Sequence, residues 1–328
     1  MKAIVYSSYG PATVLKQGER PTPVPAEDQV LVRVHAVEVT KADCELRSFR
    51  FPVKWFWLPL RLAMGVFGPR NPIMGSYFSG VVEKAGSAVT KFKSGDAIYG
   101  SAGFGMGAYG EYLSLRETAS IALKPSTLSF EEAAALPLGA LNALHFLRNA
   151  QIKKGERVLI NGAGGSIGLL GVQIAKAMGA EVTAVDCALK EHVVRSAGAD
   201  RFINYEKDHL DEGGPRYDVV FDMVAGSSYS TCLRLLGPNG RYLIGNPRLG
   251  KMLRSMFTSR FSDKTVSFAF ADEKVADLVH LNEMCERGAL RPQLDRVLPR
   301  EQIQLAHELV ETEQRRGAIV LSHRLPAV

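Results

Sequence analysis

The segment Arg157–Asp186 places a glycine cluster between two apolar runs, and this pattern restricts the fold more than any other feature of the chain. The run Val158–Ile160 leads into the cluster, a helical pattern follows it, and a second apolar run, Val182–Val185, ends at Asp186. The glycines are Gly162, Gly164, Gly165 and Gly168. This is the order of a strand, a tight turn, a helix and a second strand, which is typical of a doubly wound α/β sheet.

The glycine turn predicts a dinucleotide site. The helix after it directs unpaired N–H groups and the positive end of its dipole at the turn, and glycines let a pyrophosphate approach the backbone. Asp186, about 20 residues further on, is placed to accept the hydroxyl groups of a ribose. The strict G-x-G-x-x-G spacing is absent, because Ile167 stands where its last glycine would fall.

Two other interpretations of this turn stay open. The glycines could form a strand-to-helix turn that binds no ligand. Residues Gly164–Gly168 also read G-x-S-x-G, the nucleophile elbow of α/β-hydrolases, with Ser166 as nucleophile and acids and histidines downstream. The hydrolase interpretation leaves the three-residue glycine period and Asp186 unexplained.

The composition is that of a globular protein of two domains. The chain has 328 residues, of which 46% are hydrophobic and 23% charged, and its net charge is +6. Its four cysteines lie far apart, which argues against a disulfide framework and favours a reducing, cytoplasmic compartment. No basic run alternates with aromatic residues, so we expect no nucleic-acid partner. The most apolar segment, Trp55–Phe67, is too short to span a membrane.

Strand-like alternation dominates before Ser129, and strands alternate with helices from Arg157 onward. We expect strands at 2–6, 29–39, 79–83, 97–100, 111–114, 157–161, 181–185, 201–205, 217–221, 240–245, 265–270 and 318–321. We expect helices at 129–148 with a break near Pro137–Gly139, and at 166–178, 189–197, 227–236, 272–287 and 300–313.

Short motifs occur in a fixed order from residue 1 to residue 321. They are MKAIVYSSYG at the start, Ala42-Asp43, Ile73–Gly75, Phe78–Glu83, Gly107–Tyr112, Glu131–Pro137, the glycine turn, Gly198–Asp200, Tyr217–Asp222 and Arg316–Leu321. In this combination the chain resembles the zinc-free medium-chain dehydrogenase/reductases, in the quinone oxidoreductase-like branch. The resemblance implies an α/β fold in which a Rossmann doubly wound parallel sheet, residues 125–266, is inserted into a GroES-like β-rich domain, residues 1–124 plus 267–328.

The resemblance also implies NAD(P)H as cofactor and no metal. Zinc-dependent relatives have metal ligands where this chain has Thr40, Ser76 and Tyr77. Without a Lewis acid, the expected reaction is hydride transfer from NAD(P)H to a quinone or to an activated alkene or carbonyl compound. Thr40 and Tyr77 are the expected catalytic residues, with Tyr77 either a proton donor or a packing ring.

The residues expected to bind the cofactor are Asn142, Gly162, Ala163, Gly164, Gly165, Ser166, Ile167, Gly168, Asp186, Lys190, Tyr205, Val224, Ala225 and Gly245. Among them, Asp186 slightly favours NADH, because a carboxylate repels the 2′-phosphate of NADPH. The positive charge of Lys190 favours NADPH instead, because it attracts the 2′-phosphate.

The segment 49–70 contains both tryptophans, and we expect it to form a flap over the substrate. Trp55, Trp57 and Phe104 are the expected pocket residues, which implies a bulky apolar substrate; local core or a subunit contact is the other interpretation of the flap. The resemblance further implies a homodimer. Two other functions stay open: a zinc-free alcohol or carbonyl dehydrogenase, and a nucleotide-binding protein without catalysis.

Overall fold

The computed structural model describes residues 1–51, 56–208, 210, 216–246, 248–268, 272–313 and 315–323. The chain forms two compact units, one made of Met1–Leu138 with Glu273–Val328 and the other of Gly139–Asp272. The domain bounds expected from the sequence, after residues 124 and 266, stay a prediction. Within the described ranges, no helix combines the length and the apolar character that a membrane span requires.

The strands are β1 (Lys2–Val5), β2 (Lys16–Glu19), β3 (Gln29–Val39), β4 (Tyr77–Ala85), β5 (Ala97–Ser101), β6 (Tyr112–Arg116), β7 (Ile121–Leu123), β8 (Arg157–Asn161), β9 (Glu181–Asp186), β10 (Arg201–Asn204), β11 (Tyr217–Asp222), β12 (Leu236–Ile244), β13 (Thr265–Phe268), β14 (Leu294–Pro299) and β15 (Ala318–Ser322). The helices are α1 (Lys41–Ser48), α2 (Trp57–Met64), α3 (Phe130–Ala134), α4 (Leu136–Asn149), α5 (Ser166–Ala177), α6 (Glu191–Ser196), α7 (Tyr229–Leu235), α8 (Leu249–Phe261), α9 (Val275–Glu286) and α10 (Ile303–Glu311).

The second unit is built on a parallel sheet of six strands in the order β10-β9-β8-β11-β12-β13. All of its neighbouring strands run in parallel. Numbered within the sheet, this is the order 3-2-1-4-5-6 of a Rossmann fold, and it reverses between β8 and β11. The apolar runs seen in the sequence are the buried strands, with Val158, Val182 and Val219 fully buried. We call this part the Rossmann unit.

The first unit is β-rich. Its main sheet runs β14-β15-β3-β4-β5-β7, with β6 also paired to β3, and β1 and β2 form a separate hairpin. The strand β15, which follows the Rossmann unit in sequence, pairs antiparallel with β3, which precedes it, so segments from both sides of the Rossmann unit share one sheet. Its core contains Val32, Phe78, Ile98 and Ile319. The Rossmann unit is therefore an insertion into a GroES-like domain, which confirms the predicted fold class. We call the first part the GroES-like unit.

The helix break predicted near Pro137–Gly139 is wrong. The break lies at Ala135, between α3 and α4, and both Pro137 and Gly139 are helical. Proline is tolerated there because the first turn of a helix needs no N–H donor. A Cβ at Gly139 would lie 2.6 Å from the Ser166 carbonyl oxygen, so this glycine allows close packing of α4 on α5.

Candidate functional site

Among the four glycines between β8 and the first turn of α5, Gly164 and Gly168 are tightly packed and Gly165 is open. Gly162 has a φ of +83°, and its N–H donates to the Val185 carbonyl over 3.0 Å. A Cβ at Gly168 would lie 2.6 Å from the Ala163 Cα, so the helix packs on the turn only with glycine there. A Cβ at Gly165, the N-cap residue of α5, would meet no atom closer than 3.8 Å. The backbone at Gly165 is therefore open to a ligand, and the helix N-terminus favours an anion.

Asp186, at the end of β9, is buried and holds the turn beside it. One carboxylate oxygen accepts from the Gly164 N–H over 2.7 Å and the other from the Cys187 N–H over 2.9 Å. Lys190 Nζ lies 3.2 Å from the second oxygen. The Tyr205 N–H donates to the Asp186 carbonyl over 3.3 Å. The structure thus brings four predicted cofactor residues together at the carboxyl ends of β9 and β10.

A second buried carboxylate, Asp222, fastens the turn after β11, and the sequence analysis missed it. Its Oδ1 accepts from the Asn161 side-chain amide over 2.9 Å and from the Val224 N–H over 3.1 Å, and its Oδ2 accepts from the Tyr242 hydroxyl over 2.7 Å. Burial and the Asp222 charge raise the pKa of Tyr242 above its usual range, so this hydroxyl remains a donor. The available signal was an acid at the end of an apolar strand, the same signal that Asp186 gives.

Val224, Ala225 and Gly245 surround the turn that Asp222 holds. The Gly245 N–H donates to the Asp222 carbonyl over 2.9 Å. A Cβ on Gly162 would lie 3.2 Å from the Val224 side chain, so the turns after β8 and β11 are neighbours. They meet where the strand order reverses, which is where ligands bind in open α/β sheets.

The other predicted cofactor residues of the Rossmann unit lie on helices. Asn142 is half-buried on α4, and Ser166 and Ile167 form the first turn of α5. Ser166 is buried. A nucleophile elbow exposes its serine, so the position of Ser166 does not suit a hydrolase.

Thr40, in the GroES-like unit, caps helix α1. Its hydroxyl accepts from the Asp43 N–H over 3.1 Å and donates to Asp43 Oδ2 over 2.7 Å, and the Thr40 N–H donates to the same oxygen over 2.9 Å. Both residues are buried. Burial raises the pKa of Asp43 to about 6, although the hydrogen bonds from Thr40 lower it. A hydroxyl can accept two hydrogen bonds, and the structure shows one of them at Thr40, from the Asp43 N–H.

Tyr77, at the start of β4, keeps its proton. Its hydroxyl donates to Glu273 Oε1 over 2.7 Å. Burial and the Glu273 carboxylate raise the pKa of Tyr77 above its usual range. The neighbouring Ser76 hydroxyl donates to the Gly103 carbonyl over 3.2 Å.

The predicted pocket residues have different surroundings. Trp57 begins α2, packs edge-on against Phe49 with ring centroids 5.7 Å apart, and is 42% exposed. Phe104 lies on a short 3-10 turn and is 85% exposed. Trp55 lies outside the described residues.

The positions of the zinc ligands do not fit a zinc ion. Thr40, Ser76 and Tyr77 supply only hydroxyl groups, and each donates its hydroxyl proton within the protein. Tetrahedral zinc takes thiolate, imidazole or carboxylate ligands. In the part of the chain that the structure describes, no three His, Cys, Asp or Glu side chains gather as a metal site would require.

Buried polar side chains of α1 and α10 form a cluster with Tyr109. Cys44 Sγ and His307 Nδ1 are 3.3 Å apart, and His307 Nε2 lies 3.1 Å from the Tyr109 hydroxyl. Burial, followed by the charge of Arg47, lowers the pKa of His307 to about 3. Burial also raises the pKa of the Cys44 thiol above its usual range, so this cysteine is not a reactive thiolate.

The strand order and the open glycine turn at its reversal point define a dinucleotide-binding α/β protein. Similarity to known proteins narrows this class. Residues 26–125 match the family described as alcohol dehydrogenase GroES-like domain, and residues 197–321 match the family described as zinc-binding dehydrogenase.

Whole proteins and solved structures agree with these matches. A quinone oxidoreductase from Sus scrofa is 31% identical over 98% of this chain and 97% of its own length. A chloroplastic NADPH-dependent alkenal/one oxidoreductase from Arabidopsis thaliana is 35% identical over 68% of this chain, which spans 57% of that protein. The structure of a quinone oxidoreductase from Coxiella burnetii superposes with a TM-score of 0.87 at 30% identity, over 99% of both chains.

The chain belongs to the medium-chain dehydrogenase/reductases, in the quinone oxidoreductase branch. This is a family of NAD(P)H-dependent oxidoreductases, so the protein is an enzyme of that class. The family predicted from the sequence motifs is confirmed, and the hydrolase interpretation of the glycine turn is wrong.

Proposed function

We propose that the protein transfers hydride from NAD(P)H to a quinone or to an activated alkene or carbonyl compound, without zinc. The open backbone at Gly165 carries the proposal, because it leaves room for a pyrophosphate at a helix N-terminus. The names of the relatives, a quinone oxidoreductase and an alkenal/one oxidoreductase, support this substrate class. The cofactor supplies the hydride when bound. The residues of the protein therefore have to bind and orient the substrate and transfer a proton to it.

Tyr77 and Thr40 are the proposed catalytic residues. Tyr77 is the proposed proton donor for the substrate that accepts the hydride. Burial and the Glu273 carboxylate raise its pKa, so the hydroxyl acts as the donor only once it turns from Glu273 to the substrate. Thr40 is the proposed acceptor for a substrate N–H or O–H group, beside the hydrogen bond that it accepts from the Asp43 N–H. Trp57 and Phe104, both exposed, are proposed to contact a bulky apolar substrate.

The central test is NADH and NADPH oxidation with a panel of quinones and enones. We expect turnover with these acceptors in wild type and a higher Kd for the cofactor in Gly165→Ala, whose methyl group enters the space proposed for the pyrophosphate without a clash in the protein. Gly165→Asp should lose cofactor binding while it keeps its unfolding midpoint, because its charge repels the pyrophosphate. Cofactor binding without turnover would favour a non-catalytic protein, and oxidation of simple alcohols alone would favour an alcohol dehydrogenase.

We infer a slight preference for NADH from Asp186. Its carboxylate pairs with Lys190 over 3.2 Å, so the positive charge of Lys190 is compensated before a 2′-phosphate could approach. At about 4 Å, a carboxylate and a phosphate charge repel each other by roughly 1–4 kcal/mol, between the dielectric of water and that of a protein surface. The upper value corresponds to roughly several hundredfold in kcat/KM.

Two substitutions test this preference. Asp186→Ser removes the charge and releases Lys190, whereas Asp186→Asn removes the charge but keeps an oxygen for the Gly164 N–H. Both should shift the ratio of kcat/KM values toward NADPH, and wild type should prefer NADH. A wild type that prefers NADPH would mean that Lys190 outweighs Asp186.

The proposal includes a homodimer that pairs through an edge of the Rossmann sheet, and a cytoplasmic location, which the scattered cysteines favour. Light scattering on the purified protein measures the mass directly. A monomer at micromolar concentration would contradict the dimer.

A further inference from the structure

The GroES-like unit contains a cavity of about 310 Å³ that is lined by five basic side chains. They come from four segments of the chain: Lys2 from β1, Arg33 and His35 from β3, Arg300 from the 3-10 turn before α10, and His323 from the segment after β15. One water molecule needs only about 10–15 Å³, so the cavity has room for a polyatomic ligand.

Three nitrogen atoms of this lining are buried without a hydrogen bond. Within the described part of the chain, Arg33 Nε, Arg300 Nε and His323 Nδ1 have no hydrogen-bond partner. The two guanidinium atoms lie at ion-pair distances from carboxylate oxygens, 3.5 Å from Glu83 and 3.6 Å from Glu301. A buried donor without a hydrogen bond lowers stability, so a ligand that accepts from these atoms would stabilise the fold.

Positive charge exceeds negative charge in the lining of the cavity. Three permanent cations, Lys2, Arg33 and Arg300, stand against two carboxylates, Glu111 and Glu301. Glu111 is fixed by the Lys2 backbone N–H, which donates to its Oε2 over 2.7 Å. The Glu301 side chain is 55% exposed, so it can turn to solvent and leave its partner to another anion.

His323 shows the effect of these charges. Burial, followed by the charges of Arg300 and His35, lowers the pKa of His323 to about 4. The neighbouring positive charges contribute because they destabilise a further cation at this position. The same charges stabilise an anion, so the cavity suits an anionic ligand and not a metal ion.

We propose that this cavity binds a tetrahedral oxyanion, phosphate or sulfate. Its oxygens accept from the guanidinium groups of Arg33 and Arg300, which suit such oxygens, and His323 and Lys2 supply a further donor and a further charge. A tetrahedral ion has oxygens in four directions, which matches donors from four segments of the chain. The inference does not depend on the hydride acceptor proposed above.

Isothermal titration calorimetry with sodium sulfate, and separately with sodium phosphate, tests the proposal on the full-length protein. Chloride at equal ionic strength is the reference, because it screens charges equally. We expect both oxyanions to bind and to raise the unfolding midpoint, since they bind the folded chain. Gly165→Asp should bind them as wild type does, because its added carboxylate repels anions only from the glycine turn. Wild type that binds sulfate and phosphate no better than chloride would overturn the proposal.

Substitutions in the lining locate the bound ion. Arg33→Gln should raise the Kd of sulfate about tenfold, through a lost charged hydrogen bond, and Lys2→Gln about threefold, through a lost exposed charge. The matched controls are Arg316→Gln and Lys16→Gln, which remove the same charges at exposed positions outside the lining. Both controls should bind sulfate as wild type does.

The unfolding midpoint in chloride shows that each variant is folded, and Lys2→Gln, at an exposed position, keeps the test valid if Arg33→Gln is unstable. An equal loss of binding in the controls would mean that the anion responds only to the overall charge of the protein. Binding that is lost in Gly165→Asp and kept in Arg33→Gln would place the anion at the dinucleotide site. Either result would refute the assignment of this cavity.

Discussion

His307 should make the protein sensitive to mild acid. Burial and Arg47 lower its pKa from 6.5 to about 3, so the folded protein keeps it neutral. Once the pH falls below about 6.5, the unfolded chain binds a proton here that the folded chain does not, and stability is lost down to the folded pKa. At about 1.36 kcal/mol per unit, the full loss is about 5 kcal/mol, of which about 2 kcal/mol falls between pH 7.5 and 5.

The substitution His307→Gln isolates this contribution. At about pH 7.5 it should cost about 1–3 kcal/mol, because Cys44 and Tyr109 lose their partner. Between about pH 7.5 and 5, however, the variant should lose about 2 kcal/mol less than wild type. Burial raises the pKa of Asp43 in the folded protein to about 6, so protonation of Asp43 stabilises the fold as the pH falls. This contribution is the same in wild type and in His307→Gln.

Urea unfolding at several pH values measures the difference. Trp57 belongs to the GroES-like unit and packs against the buried Phe49, so its fluorescence follows the unit that contains His307. His280→Gln, at a half-buried position on α9, is the matched control and should keep the wild-type pH dependence. Equal pH dependence in wild type and His307→Gln would refute the reasoning.

Three further predictions concern the reaction. The purified protein should contain far less than one zinc per chain and should keep its activity with a chelator; stoichiometric zinc with chelator-sensitive activity would contradict the role given to Thr40 and Tyr77. Trp57→Ala should raise KM for bulky quinones more than for small ones, and an equal effect on both would give Trp57 a structural role. Tyr77→Phe should lower kcat by about 10²–10⁴-fold with little change in the Kd of NADH, as expected for a lost proton donor; an unchanged kcat would make Tyr77 a packing ring.

Local patterns in the sequence were sufficient to predict the strands of the Rossmann unit. The strands predicted at 157–161 and 217–221 lie at Arg157–Asn161 and Tyr217–Asp222, because buried parallel strands are continuous apolar runs bounded by turns. The sequence analysis predicted no helix or strand between residues 246 and 264, although α8 lies there. The apolar residues of α8 have helical spacing, but Gly250 and three basic residues interrupt the pattern, and no side chain caps the start of the helix. Strand β14 was also missed, because Asp295 and Arg296 interrupt its apolar residues and none of its residues is fully buried.

The polar clusters could not be predicted from such patterns. His307 meets Tyr109 across 198 residues of sequence, and Tyr77 meets Glu273 across 196. A hydrogen bond of this kind depends on the position of whole elements, which periodicity does not report. Motif resemblance located Thr40 and Tyr77, but only the structure identifies Asp43 and Glu273 as their partners.

The two buried carboxylates of the Rossmann unit explain how an open glycine can remain ordered. Asp186 and Asp222 end the strands on either side of β8, and each accepts a backbone N–H of a turn residue, Gly164 and Val224. Asp186 therefore fixes the turn that contains Gly165, Asp222 fixes the neighbouring turn after β11, and neither carboxylate occupies the space in front of Gly165. A ligand can then meet a rigid backbone at a helix N-terminus without ordering a flexible loop first, which lowers the entropic cost of binding.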